Sequence, residues 1–172
     1  MPFILKRLSY LFLLIPLIGL VACSDASKTS LNGASSSEST VTLDVYKSRS
    51  CGCCSKWIDH IKQDGFSANL HHPADLNAVK NKYGILPQYQ SCHTAVSSTG
   101  YVFEGHIPSR FIKQFLASPP EDAIGLSVPG MPLGSPGMEM GDRFSPYHVM
   151  LVKKDGTTEV YANVASLEEQ HQ

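Results

Sequence analysis

Three cysteines lie within four residues of this chain, and this spacing limits what a fold can do with them. The sequence Cys-Gly-Cys-Cys occupies residues 51–54, between a strand-like run at 40–47 and a helix-like run at 55–62. A strand-to-helix junction places thiols at one edge of a sheet, beside helix amides that stabilise thiolates. A bridge from Cys51 to Cys54 would close a loop too small to stabilise the fold much. The cluster therefore indicates redox or metal chemistry rather than a structural disulfide.

Composition and charge bound the class of protein. A chain of 172 residues with 42% hydrophobic residues is long enough for one domain with its own core. The formal net charge is -1, and it becomes -3 without Lys6 and Arg7, since 14 Lys+Arg residues then fall to 12 against 15 Asp+Glu residues. This charge excludes a cationic footprint on nucleic acid, so we expect no nucleic-acid partner.

The first 22 residues have the pattern of a lipoprotein signal peptide. Lys6 and Arg7 precede an apolar stretch at 8–20, which is shorter than the roughly 20 residues that span a bilayer. Small residues then precede Cys23, as in the bacterial lipobox, and Ser24 resembles the pattern that is sorted to the outer membrane. We expect lipidation of Cys23 and a periplasmic protein anchored to the outer membrane. An ordinary cleaved signal peptide is the alternative.

The remaining chain is predicted to hold one folded domain. Residues 23–40 are polar and rich in serine, which is typical of a flexible tether, and residues 41–172 form the domain. Its hydrophobic pattern predicts an α/β fold with the thioredoxin-like order β-α-β-α-β-β-α, in which the first two strands are parallel. A Met/Pro/Gly-rich loop at 118–147 and a C-terminal β-hairpin at 149–164 follow. Residues 168–172 are expected to fray.

Cys92 is expected to complete the cysteine cluster. In a thioredoxin-like fold the segment that enters the third strand lies against the same sheet edge as the first helix, and Cys92 occupies that segment. His93 is its neighbour, and the next hairpin returns to this edge near His106. Each histidine is equally consistent with a metal ligand and with a hydrogen-bonding group that supports one. His60, by contrast, is expected on the solvated face of the first helix.

Clustered thiolates favour soft metal ions. Cu(I), Zn(II) and iron-sulfur clusters all accept them, although structural zinc more often uses two spaced Cys-x-x-Cys turns. Four thiolates around one Cu(I) would carry a charge of about -3, which is costly in a partly buried site, whereas several Cu(I) ions that share thiolates approach neutrality. We therefore predict more than one Cu(I) ion. The predicted ligands are Cys51, Cys53, Cys54 and Cys92.

Thioethers in the long loop are a second indication of copper. Met131, Met138 and Met140 lie among prolines and glycines, and a thioether binds Cu(I) without losing a proton. They are candidate additional ligands. Simple coverage of an apolar patch is the alternative.

Four separated blocks of sequence resemble the signature of the periplasmic CopG-type copper-resistance family, long catalogued as a domain of unknown function. The blocks lie at 45–57, which includes Cys-Gly-Cys-Cys-Ser-Lys-Trp, at 90–95 (Gln-Ser-Cys-His-Thr-Ala), at 104–108 (Glu-Gly-His-Ile-Pro) and at 128–139, which begins Val-Pro-Gly-Met-Pro. The resemblance covers residues 41–164. It implies a thioredoxin-like fold, copper bound by the four cysteines of the domain, and a role in copper tolerance.

The sequence leaves three functional interpretations open. The first is a membrane-tethered copper-binding protein that buffers, transfers or oxidises copper, with periplasmic copper-efflux or chaperone proteins as candidate partners. The second is a thiol-disulfide oxidoreductase that uses Cys51 and Cys54. Cys53 distinguishes them, because disulfide exchange does not need it. In a third, the cysteines only stabilise a structural lipoprotein.

Overall fold

The computed structural model describes residues 40–171, which form a mixed α/β domain with one seven-stranded sheet and three α-helices. The strands are β1 (Thr42–Lys47), β2 (Ser67–His71), β3 (His93–Ser97), β4 (Val102–Glu104), β5 (Ala123–Ser127), β6 (Tyr147–Lys153) and β7 (Thr158–Val164). The helices are α1 (Gly52–Gln63), α2 (Leu76–Lys82) and α3 (Ser109–Ala117). The predicted signal peptide, Cys23 and the tether up to residue 39 lie outside the described residues. None of the helices within 40–171 is long and apolar enough to cross a membrane.

The sheet has the strand order β2-β1-β3-β4-β5-β6-β7. β1 and β2 are parallel, and β3 pairs antiparallel with both β1 and β4. The parallel first pair confirms the prediction from the intervening helix. β4 and β5 are parallel, while β6 pairs antiparallel with β5 and with β7. The predicted hairpins β3-β4 and β6-β7 are both present.

The core forms where β1 meets the helices. Leu43 and Val45 alternate with more exposed residues along β1 and are fully buried, as the sequence pattern predicts. Trp57 and Ile61, one helical turn apart on α1, join the same hydrophobic cluster. Burial of side chains of this size contributes about 1.5–3 kcal/mol each, so this packing holds α1 firmly on the sheet.

Helix α1 begins at the cysteine cluster itself, three residues before the helix-like run. Cys51 is its N-cap, and the Cys51 Sγ accepts a hydrogen bond from the Cys54 N–H at 3.3 Å. This contact satisfies one of the amides that a helix start leaves without a partner. At the other end, Gly65 has φ +90°, and the Phe66 N–H closes the last turn on the Ile61 carbonyl.

The prediction of an unbroken loop at 118–147 is wrong, because β5 lies within it. Prolines and glycines on both sides made Ala123–Ser127 resemble loop sequence, and Gly125 interrupts its apolar pattern. A Cβ atom at Gly125 would lie 1.7 Å from the Val102 carbonyl oxygen of the neighbouring strand. Glycine is therefore required for β5 to pair with β4, and that requirement arises on a different strand.

The prediction of a frayed C-terminus is also wrong for the described part. Residues Glu168–Gln170 form a 3-10 turn, and Gln170 is buried. The Tyr147 hydroxyl donates to Gln170 Oε1 at 2.8 Å, and Gln170 Nε2 donates to the Gly134 carbonyl at 3.0 Å. The tail is thus fixed to β6 and to the long loop.

His60 is partly buried, contrary to its expected solvated position. Its Nε2 accepts a hydrogen bond from the Ser109 N–H at 3.1 Å, so the ring caps the start of α3. Burial lowers the pKa of His60, because a charged ring loses its hydration there.

We expect acid to destabilise the fold through His60. As the pH falls below about 6.5, the unfolded state binds a proton on His60 before the folded state does, so the free energy of unfolding decreases until the lowered folded pKa is passed. Urea unfolding at about pH 8 and about pH 5 measures the decrease. His60→Gln should show a smaller decrease, and His148→Gln, at an exposed position, serves as the control. An equal decrease in all three proteins would contradict this role.

Candidate metal centre

Four cysteine sulfurs meet between the start of α1 and the segment before β3. Cys51 caps α1, Cys53 and Cys54 lie in its first turn, and Cys92 immediately precedes β3. All four Sγ atoms lie within 4.8 Å of one another. The structure therefore brings together the four cysteines that the sequence assigns to one site.

The four sulfurs are in two chemical states. Cys51 and Cys54 form a disulfide, whereas Cys53 and Cys92 are free thiols. The Cys53 Sγ lies 3.5 Å from that of Cys51 and 3.9 Å from that of Cys92, and the Cys54 Sγ lies 3.4 Å from Cys92. Two sulfurs on one metal ion, with bonds of about 2.3 Å, lie about 4 Å apart. Once the disulfide is reduced, the spacing of all four sulfurs is compatible with metal binding.

The Cys92 thiol is hard to ionise in the absence of metal. Burial, and then the proximity of Cys53, raises the pKa of Cys92 to about 12. Cys92 therefore carries a proton at neutral pH. A metal ion that binds Cys92 must displace that proton, so binding releases acid.

His106 presents a ring nitrogen to Cys92. Its Nε2 lies 2.9 Å from the Cys92 Sγ, and its Nδ1 lies 2.8 Å from the Pro136 carbonyl oxygen. A carbonyl only accepts hydrogen bonds, so Nδ1 donates and the neutral ring turns its Nε2 lone pair towards Cys92. Burial lowers the pKa of His106, which favours this neutral form. The lone pair can accept the Cys92 S–H or bind a metal ion.

His93 lies beneath the cluster and is fully buried. Its Nδ1 is 3.4 Å from the Cys92 Sγ, and its ring packs against Trp57 and His106 with centroid separations of 4.3 Å and 5.0 Å. Its Nε2 makes no hydrogen bond to any residue in the described range. Burial holds the pKa of His93 well below its usual range. Cys92, His93 and His106 form a second group of closely spaced donor atoms.

The long loop contacts the cluster through Gly137 and Pro136, which sequence reasoning missed. Gly137 has φ +87°, and a Cβ atom there would lie 2.6 Å from the Cys53 carbonyl oxygen and 2.8 Å from the Trp57 amide nitrogen. Its absence of a side chain lets the loop approach the first turn of α1. In a segment with several glycines, the sequence gives no signal that distinguishes Gly137 from the others.

The three candidate methionines differ in exposure. Met131 and Met140 are 54% and 55% exposed, and Met138 is partly buried. Arg143 donates a hydrogen bond to the Met140 sulfur at 3.3 Å. Copper ligation by these thioethers stays a prediction.

The histidine pair that ends β2 has other partners. The His71 Nε2 lies 3.0 Å from Asp44 Oδ1, and the His72 Nδ1 lies 3.0 Å from the Lys47 carbonyl oxygen. Both contacts tie β2 to β1, so these two histidines have a structural role here.

The chain is similar to two solved structures, which are named copper resistance protein CopG, form 2, and copper resistance protein CopG, form 1. They are 40% and 41% identical to it, and each alignment covers 73% of this chain and 98% of the other, with TM-scores of 0.69 and 0.68. This chain belongs to the CopG copper-resistance family. The resemblance in the four sequence blocks is thereby confirmed.

A second comparison matches only part of this CopG-family protein. A family model described as a protein of unknown function, DUF411, matches residues 89–138. That stretch contains Cys92, His93 and His106 but not the cysteines of α1. A search of curated proteins found no match.

Proposed function

We propose that this protein binds a multinuclear Cu(I)-thiolate centre and acts in copper resistance. The observation that carries the proposal is the mutual spacing of four cysteine sulfurs within 4.8 Å. Soft sulfur ligands select Cu(I) over harder ions, and the similar solved structures are named as copper resistance proteins. The proposed ligands are Cys51, Cys53, Cys54 and Cys92.

Charge supports more than one ion. Four thiolates with a single Cu(I) leave a charge of about -3, which is costly where the sulfurs are partly shielded from water. Each further Cu(I) that shares the same thiolates cancels one charge. His93 and His106 are neutral, so they can contribute nitrogen donors without adding to the charge.

Additional ligands are proposed in order of geometric support. His106 comes first, because its Nε2 faces the Cys92 sulfur at 2.9 Å. His93 follows, either as a ligand or as a support for Cys92. Met131, Met138 and Met140 are proposed as thioether donors from the long loop.

The proposed setting is a thioredoxin-like domain on a lipid anchor in the periplasm. Its support is the β1-α1-β2-α2-β3-β4-α3 order, with parallel β1 and β2 and antiparallel β3 and β4. The lipobox-like sequence before Cys23 supports anchoring, and Ser24 supports the outer membrane. There the protein would buffer, transfer or change the oxidation state of copper, with periplasmic efflux or chaperone proteins as partners.

Anaerobic titration of the fully reduced protein with Cu(I) tests the centre. We expect at least about two tightly bound copper ions per chain, with sulfur-dominated coordination in X-ray absorption. Metal analysis after desalting gives the stoichiometry. Fewer than two coppers per chain, together with efficient reduction of a disulfide substrate, would overturn the proposal.

The disulfide between Cys51 and Cys54 favours a second candidate, thiol-disulfide exchange. Its partly buried position at a helix start is one that oxidoreductases use for a reactive pair. Reduction of insulin with dithiothreitol as the electron donor measures this activity. Rapid turnover by a copper-free protein would support the second candidate.

A further inference from the structure

A buried ion pair lies directly behind the Cys92 segment. Lys80 of α2 and Glu104 of β4 are 2% and 0% exposed, and the Lys80 Nζ lies 2.5 Å from Glu104 Oε1. Sequence patterns place a lysine of a short polar helix in solvent, so this pair was not predicted. A buried ion pair is weak support for stability as such, since well-packed apolar residues often serve as well. The other hydrogen-bond partners of the Lys80–Glu104 pair therefore indicate its role.

The Glu104 carboxylate holds the backbone on both sides of Cys92. Its Oε1 also accepts the Ser91 N–H at 2.7 Å, and its Oε2 accepts the Thr94 hydroxyl at 2.6 Å. Ser91 immediately precedes Cys92, and Thr94 follows it by two residues. Lys80 donates a second hydrogen bond to the Thr94 hydroxyl at 3.1 Å. One carboxylate thus receives donors from α2, from β3 and from the segment before it.

The fit around this segment is close enough to transmit a change in position. A Cβ atom at Gly105, the residue after Glu104, would lie 2.6 Å from the Ser91 side chain. The Ser91 hydroxyl donates to the Gly130 carbonyl, and the Gly130 N–H donates back to the Gln90 carbonyl at 3.1 Å. The Ser91 N–H donates to the Glu104 carboxylate, so loss of the carboxylate leaves that N–H without this acceptor.

We propose that Glu104, held in place by Lys80, is the positioning residue that fixes the Cys92 sulfur against those of Cys53 and Cys54. The role of Glu104 in copper binding rests on the proposed function. The positioning itself is a property of the copper-free protein, because it sets how often the Cys92 and Cys54 sulfurs, 3.4 Å apart, can react with each other.

Disulfide equilibrium measures this positioning without metal. In Cys51→Ser/Cys53→Ser protein, the Cys54 and Cys92 thiols react with oxidised glutathione to give one protein disulfide and two molecules of reduced glutathione, so electrons and protons balance. The equilibrium constant of this reaction equals the effective concentration of the Cys54 thiol in the neighbourhood of the Cys92 thiol. Serine at position 51 keeps a helix-capping side chain.

Glu104→Gln should lower this effective concentration about tenfold or more, because the amide cannot accept from Lys80, Ser91 and Thr94 together. The Cys51–Cys54 pair, measured in Cys53→Ser/Cys92→Ser protein, should change little, since both of its cysteines lie on α1 and its cap. Lys80→Met should also lower the Cys54–Cys92 value, while Lys82→Met, at an exposed position on the same helix, should not.

Two results would overturn the inference: an unchanged Cys54–Cys92 value in Glu104→Gln, or an equal loss for both disulfides, which would show general loosening. If Glu104→Gln does not fold, the Lys80→Met/Glu104→Gln protein, which removes both charges, replaces it under the same criteria. Cu(I) titration of the protein with all four cysteines separates this inference from the proposed function. Low copper content with an intact Glu104 would overturn only the copper proposal, whereas the glutathione result decides the positioning.

Discussion

Cys53→Ser is expected to reduce the Cu(I) content of the reduced protein by about half or more, while the Cys51–Cys54 disulfide still forms. The Cys53 sulfur lies between those of Cys51 and Cys92, at 3.5 Å and 3.9 Å, where a thiolate can bridge copper ions. Without this bridge, the remaining sulfurs hold fewer ions. Anaerobic titration against a Cu(I) chelator and metal analysis give the change.

The same variant separates the candidate functions. Disulfide exchange through Cys51 and Cys54 should continue in Cys53→Ser, because neither reacting sulfur is altered. Ser55→Ala, an exposed change on the same helical turn, is the control and should preserve both copper content and exchange. Unchanged copper content in Cys53→Ser would count against the multinuclear centre. It would leave disulfide exchange, or a purely structural role, as the better account.

Gly137→Ala should lower the free energy of unfolding by about 2–4 kcal/mol, because a new methyl group meets backbone atoms that cannot rotate away. The clash is with the Cys53 carbonyl and the Trp57 amide, at 2.6 Å and 2.8 Å. The loop must move outwards, which withdraws the Pro136 carbonyl from His106. Urea unfolding of the reduced protein measures the effect.

Gly141→Ala is the matched control for this substitution. Gly141 also has a positive φ, +61°, but nothing lies within 4 Å of a Cβ atom there. It shares the backbone cost of the change and lacks the clash. If the two variants lose equal stability, the close approach of the loop to α1 does not contribute to the free energy of unfolding.

Local signals in the sequence predicted much of the fold. Alternation marked β1. Asp75 is a residue type that favours the start of a helix, and its carboxylate accepts the amides of Asn77 and Ala78 at the start of α2. The meeting of Cys92 with the other three cysteines was predicted from the order of elements together with the geometry expected of a thioredoxin-like fold. Each of these features depends on neighbours in the chain or on a well-defined rule of topology.

The features that escaped prediction depend on partners distant in sequence. Gly125 marks a strand only because Val102 leaves no space for a side chain, and Gln170 is ordered by Tyr147 and Gly134. Lys80 is buried because it pairs with Glu104, which lies 24 residues further along the chain. A periodic pattern gives no information about such pairs. They include the contacts that set the position of Cys92.

The cap of α1 links a reactive atom to the backbone. The Cys51 sulfur that accepts the Cys54 N–H also belongs to the disulfide and to the proposed copper ligands. Any reaction at this sulfur changes the electron density that the Cys54 amide proton faces. In an NMR spectrum that single resonance should report whether the sulfur is oxidised, reduced or bound to metal. The Cys54 amide proton is thus a built-in probe of the chemistry at the N-cap of α1.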